Sequence, residues 1–336
     1  MRMDSANRSF VVLVGVSLLL GMYVLCGAIG SVLMPLVFAR AAHGGIGAPL
    51  SSADPLLPAL LFILLVATGT GLGLCSLARQ AVASRGLARR VSASSLALPE
   101  ELAAVCKQVG LHGRVALVDA PEWFSFVYGA LSPRVALSRG LSEGVNPSEL
   151  RAVLEHEHYH VRNLDPLKLV LVEAISRAFF FLPALASLRV RYIAARELAA
   201  DRRAMRACGH LPLASALLKV VRGPEWSELD LAAAIGDPEL LDVRVAQLET
   251  GREPKLAALS IARVVLSLLG MAVFAATFLI SVSGLGGPAA VLQTTGAGLG
   301  TADLLGGLTC AIPFAAVGLL AYWHISRRAS RPLKVV

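Results

Sequence analysis

The chain has 336 residues, of which 56% are hydrophobic and 16% charged, with a mean hydropathy of +0.68. That composition excludes a disordered chain and an ordinary water-soluble domain, and it points to an α-helical multi-pass membrane protein. The formal net charge of +8 is assigned to the cytoplasmic side of such a protein, where Lys and Arg accumulate, and not to direct nucleic-acid binding. The cysteines Cys26, Cys75, Cys106, Cys208 and Cys310 show no C-x-x-C spacing, which argues against a disulfide framework or a thiolate metal site.

Residues 9–39, 55–78, 264–282 and 304–326 contain no Asp, Glu, Lys or Arg, and each run is close to or above the ~20 residues needed to cross the hydrocarbon core. The first run follows Arg2 and Arg8 like a signal peptide, but it is too long and lacks a small-residue cleavage site. Loops 41–54 and 283–303 contain no Lys or Arg, whereas Arg79, Arg85, Arg89 and Arg90 follow the second run and Arg327, Arg328, Arg331 and Lys334 the fourth. The charge asymmetry places both termini and the block between the second and third runs in the cytoplasm of a plasma-membrane protein. The expected organisation is a membrane region over 1–84, a cytoplasmic domain over 85–257, and a second membrane region with a basic tail over 258–336. Within the block, Pro166–Leu188 is apolar but carries Lys168, Glu173 and Arg177. Its uncharged remainder is too short to span, so it is expected to be a helix lying on or dipping into the cytoplasmic leaflet.

The chemistry is concentrated after Asn146-Pro147-Ser148-Glu149, which reads as a helix start with Asn as N-cap, Pro first and Glu third. A helix is expected from Pro147 to about Asn163. On it His156-Glu157-His158-Tyr159-His160 forms an H-E-x-x-H pattern, in which His156 and His160 lie one turn apart and can share a metal ion while Glu157 stands beside it as general base. His158 faces away from that pair. A catalytic zinc site needs a third protein ligand and an open position. Arg196-Glu197-Leu198-Ala199-Ala200-Asp201, in a second expected helix from Arg189 to about Cys208, offers Glu197 as that ligand and Asp201 as the group that orients a ligand imidazole. With Arg196, Arg202 and Arg203 alongside, the same residues also read as a solvated, ion-paired face.

Taken in order, Ser132-Pro133-Arg134-Val135-Ala136-Leu137-Ser138-Arg139-Gly140-Leu141, Glu149-Leu150-Arg151-Ala152-Val153-Leu154-Glu155-His156-Glu157, His160-x-x-Asn163-x-Asp165 and Arg196-Glu197-x-x-x-Asp201 resemble the BlaR/MecR-type membrane zinc metallopeptidases. More distantly the chain is similar to HtpX-type and CAAX prenyl endopeptidases. The resemblance implies a cytoplasmic α+β gluzincin domain, with a small β-sheet and an H-E-x-x-H helix, holding one zinc ion. It implies Glu197 as third ligand, with Asn163 and Asp165 supporting the turn after the metal helix. Asp242-x-Arg244-Val245-x-x-Leu248 resembles the short segment that precedes the last spans of such proteins. His158 and Tyr159 stand where smaller residues are usual.

Val115–Val118, Ser125–Tyr128 and Arg134–Ser138 read as short strands. In zincins an edge strand binds the substrate, and Arg134, Val135, Ala136, Leu137 and Ser138 are the candidates for that role by β-augmentation. The expected activity is hydrolysis of peptide bonds in a cytoplasmic or membrane-proximal protein, such as a transcriptional repressor, as regulatory proteolysis. Zinc would activate the water and carbonyl while Glu157 moves the proton. No penicillin-binding sensor domain is expected. The alternatives are HtpX-like quality control of membrane proteins and a non-catalytic metal-binding sensor or scaffold. Tyr192, Arg203 and His210 are candidates for stabilising the oxyanion.

Overall fold

The computed structural model describes residues 5–22, 56–222, 238–256 and 259–284. Its elements in chain order are α1 (Ser5–Met22), α2 (Leu56–Ala93), β1 (Ser95–Leu96), α3 (Glu100–Val109), β2 (Val115–Val118), β3 (Ser125–Tyr128), β4 (Arg134–Ser138), α4 (Arg139–Gly144), α5 (Pro147–Arg162), α6 (Asp165–Ala178), α7 (Pro183–Cys208), α8 (His210–Arg222), α9 (Pro238–Thr250) and α10 (Ile261–Gly284). Among the described residues the chain is mostly helical with one small mixed sheet.

Two compact units emerge from the contacts: one of residues 1–10, 75–173 and 190–257, the other of 11–74, 174–189 and 258–336. The expected boundary at 84–85 therefore falls within α2, whose 38 residues run on unbroken, and the division lies at Leu74–Cys75.

In the first unit the strand order is β1-β2-β4-β3, with β2 parallel to β4 and the other pairs antiparallel. Successive side chains of a strand point to opposite faces. Val135 and Leu137 accordingly join the core formed with α3 and α5, which includes Leu102, Cys106, Leu150 and Leu154, while Ala136 faces Val91, Phe124 and Tyr128 on the other side. The order corrects one expectation: β4 is hydrogen-bonded on both sides, so Arg134–Ser138 has no free edge for a substrate. The hairpin from β3 adds its return strand between β3 and β2, so among the described residues the sheet's edges are the two-residue β1 and Ser125–Tyr128, and the latter stands beside Glu157.

Helix α5 begins where its caps dictate. Asn146 Oδ1 accepts from Ser148 N and Glu149 N at 3.0 and 2.9 Å, and Glu149 Oε2 accepts from Asn146 N at 2.8 Å, a reciprocal capping box with Pro147 at the first helical position. It ends at Asn163, and the next residue, Leu164, adopts φ +54°. That left-handed residue turns the chain sharply enough to start α6 at Asp165, beside the last turn of α5. A β-branched side chain is poorly tolerated in that conformation, whereas Asn enters it readily. Leu164→Ile is therefore expected to lower stability by about 1–2 kcal/mol, and Leu164→Asn to keep or raise it, as read by thermal unfolding in detergent. Equal midpoints for the two variants would remove the strain argument.

In the second unit the segment expected as a single helix over 166–188 is instead broken at 179–182. Pro183 cannot supply the N–H that continuation of α6 requires, and the residue before a proline avoids helical geometry. Pro183 starts α7, which therefore begins before the expected Arg189. The break separates α6 from α7. The first turns of α7 are held within this unit by α10: Ala184 N donates to Ser267 Oγ at 2.9 Å and Arg263 to Ser187 Oγ at 3.0 Å. Gly69 of α2 passes so close to Ala178 that a Cβ would stand 2.4 Å from its carbonyl oxygen, an approach that a residue without a Cβ permits.

Among the described residues, Ser5–Met22 and Ile63–Ala93 are long and apolar enough to cross a membrane. The third expected span lies in α10. The remainder of the first expected span after Met22, and the whole of 304–326, lie outside the described residues.

Candidate active site

Residues from two helices converge within the first unit. His156 and His160 come from α5, one turn apart, and Glu197 from α7; their ligand atoms lie within 4.8 Å of one another and all three side chains are buried. The separations are 3.2 Å between the two Nε2 atoms, 3.3 Å from His156 Nε2 to Glu197 Oε2 and 3.6 Å from His160 Nε2 to Glu197 Oε1. Ligands about 2.0–2.1 Å from a tetrahedral ion stand about 3.3 Å apart, so the donor spacing fits one metal ion.

Each of the other ring nitrogens lies beside a carboxylate. His160 Nδ1 donates to Asp165 Oδ2 at 2.6 Å, and His156 Nδ1 lies 2.9 Å from Asp201 Oδ1. With the His160 proton held on Nδ1 by Asp165, and Asp201 beside His156 Nδ1 as an ion-pair partner without hydrogen-bond alignment, both Nε2 atoms and the Glu197 carboxylate meet at one place. Three acceptors so arranged repel one another unless a cation, a proton or a metal, lies among them. Asp165 follows directly from the turn at Leu164, and Asp201 from its position one turn beyond Glu197.

Around this core the charges are unequal. Arg196 Nη2 contacts Glu197 Oε1, and Arg244 of α9 grips Asp201 through Nε and Nη2, each at 2.8 Å, with Nη1 3.8 Å from Glu197 Oε2. These two guanidiniums face four carboxylates, those of Glu157, Asp165, Glu197 and Asp201, and Lys168 approaches Asp165 only to 4.0 Å. Burial disfavours the charged forms, but the partners prevail. Arg196 and His160 hold the Glu197 carboxyl well below its ordinary range, and Arg244 and His156 do the same less strongly for Asp201. Burial likewise opposes the imidazolium of His156, yet Asp201 and Glu197 push its pKa up to about 9; Glu197 and Asp165 raise that of His160.

Glu157 is buried, and its Oε1 accepts a hydrogen bond of 2.7 Å from Ser125 Oγ at the start of β3. It lies outside the ligand triad but lines the same cavity, of about 420 Å³, together with His156, His160 and Glu197. The free-edge strand β3 forms one wall from Ser125 to Gly129, and the apolar side chains of Leu169, Leu213, Leu217 and Val220 form much of the rest. A carboxylate, a three-donor cation site and an open strand edge thus share one partly apolar chamber.

Several expectations are placed differently. Of Arg134–Ser138 none lines the cavity. Asn163 caps α5, donating to Tyr159 O at 2.9 Å; it supports the turn, while Asp165 touches a ligand directly. His158 points away, with Nδ1 3.0 Å from Arg203, and its ring packs on Gly110. The oxyanion candidates do not reach the cavity: Tyr192 is buried against Phe10, Arg203 pairs with Glu155, and His210 lies beside Gly251. The cationic groups that do line it are Arg196 and Arg244. Arg244 and Ser125 carried no sequence signal of their partners, although Arg244 stands in the segment that resembles the approach to the last spans.

The family model described as BlaR1 peptidase M56 matches residues 48–248. Among curated proteins, the chain is 36% identical over 85 residues to protease HtpX of Shewanella pealeana, 35% to that of Shewanella putrefaciens and 34% to that of Shewanella baltica; each match covers 24% of this chain and 30% of the relative. The chain therefore spans about a third of the length of those relatives. A match over more than half of the sequence, together with a buried His-His-Glu group set as an H-E-x-x-H peptidase requires, shows that this chain belongs to the BlaR1 peptidase M56 family.

Proposed function

We propose that the protein is an integral-membrane zinc endopeptidase that cleaves a cytoplasmic or membrane-proximal protein. The observation that carries this reading is the meeting, in one cavity, of the His156–His160–Glu197 triad, the adjacent Glu157 and the free edge of β3. Two imidazoles and a carboxylate suit zinc among divalent ions. When bound, zinc would supply Lewis acidity toward the scissile carbonyl and the attacking water.

The residues supply the rest. An extended peptide adds to β3 by main-chain hydrogen bonds, which sets its backbone across the cavity. Glu157 Oε2, not engaged by Ser125, takes the proton of the attacking water and returns it to the leaving amine. Arg244, adjacent to Glu157 and Glu197, contributes positive potential as negative charge develops on the carbonyl oxygen. Asp165 and Asp201 keep the two imidazoles in one tautomer and orientation.

The absence of Lys and Arg from loops 41–54 and 283–303, set against the basic residues after Ala78 and after Ser326, supports cytoplasmic termini and a cytoplasmic site. Kinship with the BlaR1 peptidases supports regulatory proteolysis, with a transcriptional repressor as substrate. The HtpX relatives favour a second reading, quality control of membrane proteins. Proteomics of a deletion strain separates them: one stabilised regulator supports the first, and many stabilised membrane proteins the second. Zinc content and peptide cleavage by detergent-purified protein test the enzyme itself, and a chain that holds zinc without cleaving any protein would leave only the sensor alternative.

Metal uptake should depend on pH in a defined direction. His156 sits at about 9 against an ordinary 6.5, so the metal-free imidazole holds a proton between those values and zinc must displace it. Apparent affinity is expected to climb from pH 6.5 to about 9 and then level off, with proton release visible as buffer-dependent heats in calorimetry. Stability linked to that proton follows the opposite course: in the metal-free protein it is complete below pH 6.5 and lost as pH rises through about 9. Zinc affinity that levels off near pH 6.5 would show that the carboxylates do not hold the imidazolium.

A further inference from the structure

The first turns of α1 belong to the same compact unit as the metal ligands, and their side chains make a set of contacts that the peptidase reading does not use. Ala6 is 2% exposed and packs among Tyr159 of α5 and Ala195, Ala199 and Ala200 of α7. Ser5 Oγ donates to Glu253 at 2.7 Å and accepts from Arg202 at 3.3 Å, while Arg202 and Glu253 pair with each other. Asn7 Nδ2 donates to Asn163 Oδ1 at 3.4 Å, and Asn7 Oδ1 accepts from Lys168 Nζ at 2.6 Å. The Lys168 ammonium also lies over the Phe10 ring, 5.5 Å from its centroid, and 4.0 Å from Asp165 Oδ1.

These contacts form a continuous path. Asn7 and Phe10 seat Lys168; Lys168 faces one oxygen of Asp165, whose other oxygen holds His160 Nδ1 at 2.6 Å. Asn7 also reaches Asn163, the residue that closes the helix bearing both histidines. Lys168 is mostly withdrawn from water, so its charge stays beside Asp165 only while the Asn7 and Phe10 seat is in place.

We propose that Asn7 and Lys168 are positioning residues of the metal site, and that seating of the first turns of α1 keeps the Asp165–His160 arm in ligand-ready geometry. This rests on the reading of His156, His160 and Glu197 as metal ligands. Ser5–Met22 is also apolar and long enough to cross a membrane, so the ligand geometry is tied to a helix that can lie in the bilayer. A shift of that helix, by a lipid or by an event outside the cell, reaches His160 through two side chains and changes how firmly the metal is held.

The test is the rate at which the detergent-purified full chain, loaded with zinc, gives up its metal to a chromogenic chelator. Asn7→Leu and Lys168→Met are each expected to speed release about tenfold, the lower end for loss of a group behind a ligand. The double variant should be no faster than the quicker single one, because both cut one path. Asn7→Asp keeps the acceptor for Lys168 and should release at close to the wild-type rate. Ser9→Ala, whose hydroxyl among the described residues reaches only Ser5 O of its own helix, is the control for general loosening of α1. Cobalt loaded in place of zinc should show an altered visible spectrum in Asn7→Leu if the His160 arm has moved. Release at the wild-type rate from both single variants overturns the proposal, as does an equal acceleration in Ser9→Ala. Lys168→Met carries the test if Asn7→Leu does not fold. A wild-type chain that takes up neither zinc nor cobalt overturns the metal reading itself, and this inference with it.

Discussion

Glu157→Gln is expected to hold zinc at the wild-type level and to lose about 10² to 10⁴ in turnover. The substitution keeps shape and polarity: the amide oxygen can still accept the hydrogen bond that Ser125 Oγ gives to Oε1, so the start of β3 and the wall of the cavity stay as they are. What disappears is a group able to take a proton from water. The donor triad is untouched, because Glu157 is not among the three groups whose ligand atoms converge. Glu197→Ala is the contrasting variant, since it removes one of the three donors and should empty the site. Metal content by atomic spectroscopy and cleavage of a peptide library, measured on the same preparations, give two independent readouts. Full turnover in Glu157→Gln would end the assignment of general base, and a zinc-replete Glu197→Ala would remove Glu197 from the ligand set.

What the sequence made legible follows from the range of the interactions. The α5 helix could be read because its start is written locally: Asn146, Pro147 and Glu149 satisfy one another within four residues, and the H-E-x-x-H spacing is a property of one helix. The strands 115–118, 125–128 and 134–138 were legible for the same reason. Their order was not, since pairing of β2 with β4 is a long-range event that no local pattern encodes, and it moved the open edge from Arg134–Ser138 to Ser125–Tyr128. The break at 179–182 was in principle visible in Pro183, but the apolar run through Phe179-Phe180-Phe181-Leu182 masked it. Asp165 was placed near the site only by family likeness. Its contact with His160 depends on the left-handed Leu164, a conformation that residue type alone does not announce.

Arg244 is the clearest residue hidden by chain distance, and its removal should have the largest effect on stability. Asp201 is fully buried, and the Arg244 fork meets both of its oxygens at 2.8 Å. Gln247, one turn further along α9 and equally buried, donates to Leu198 O at 2.9 Å, so the two residues fasten α9 to the ligand-bearing helix α7. Arg244→Met keeps much of the volume and removes the charge, leaving a buried carboxylate to face His156 alone. Breaking one side of such a pair costs about 3–5 kcal/mol, which should appear as a large fall in the detergent unfolding midpoint. Zinc affinity should fall about 10- to 100-fold as Asp201 no longer holds the imidazole in place. Arg244→Lys restores charge without the two-pronged geometry and should recover only part of either loss. The decisive comparison is Arg244→Met with Asp201→Asn added: if the cost is that of an uncompensated buried charge, neutralising the partner must return stability relative to Arg244→Met alone. A double variant as unstable as the sum of the singles would mean that Arg244 acts through packing of α9, and the electrostatic account of how α9 completes the site would have to be given up.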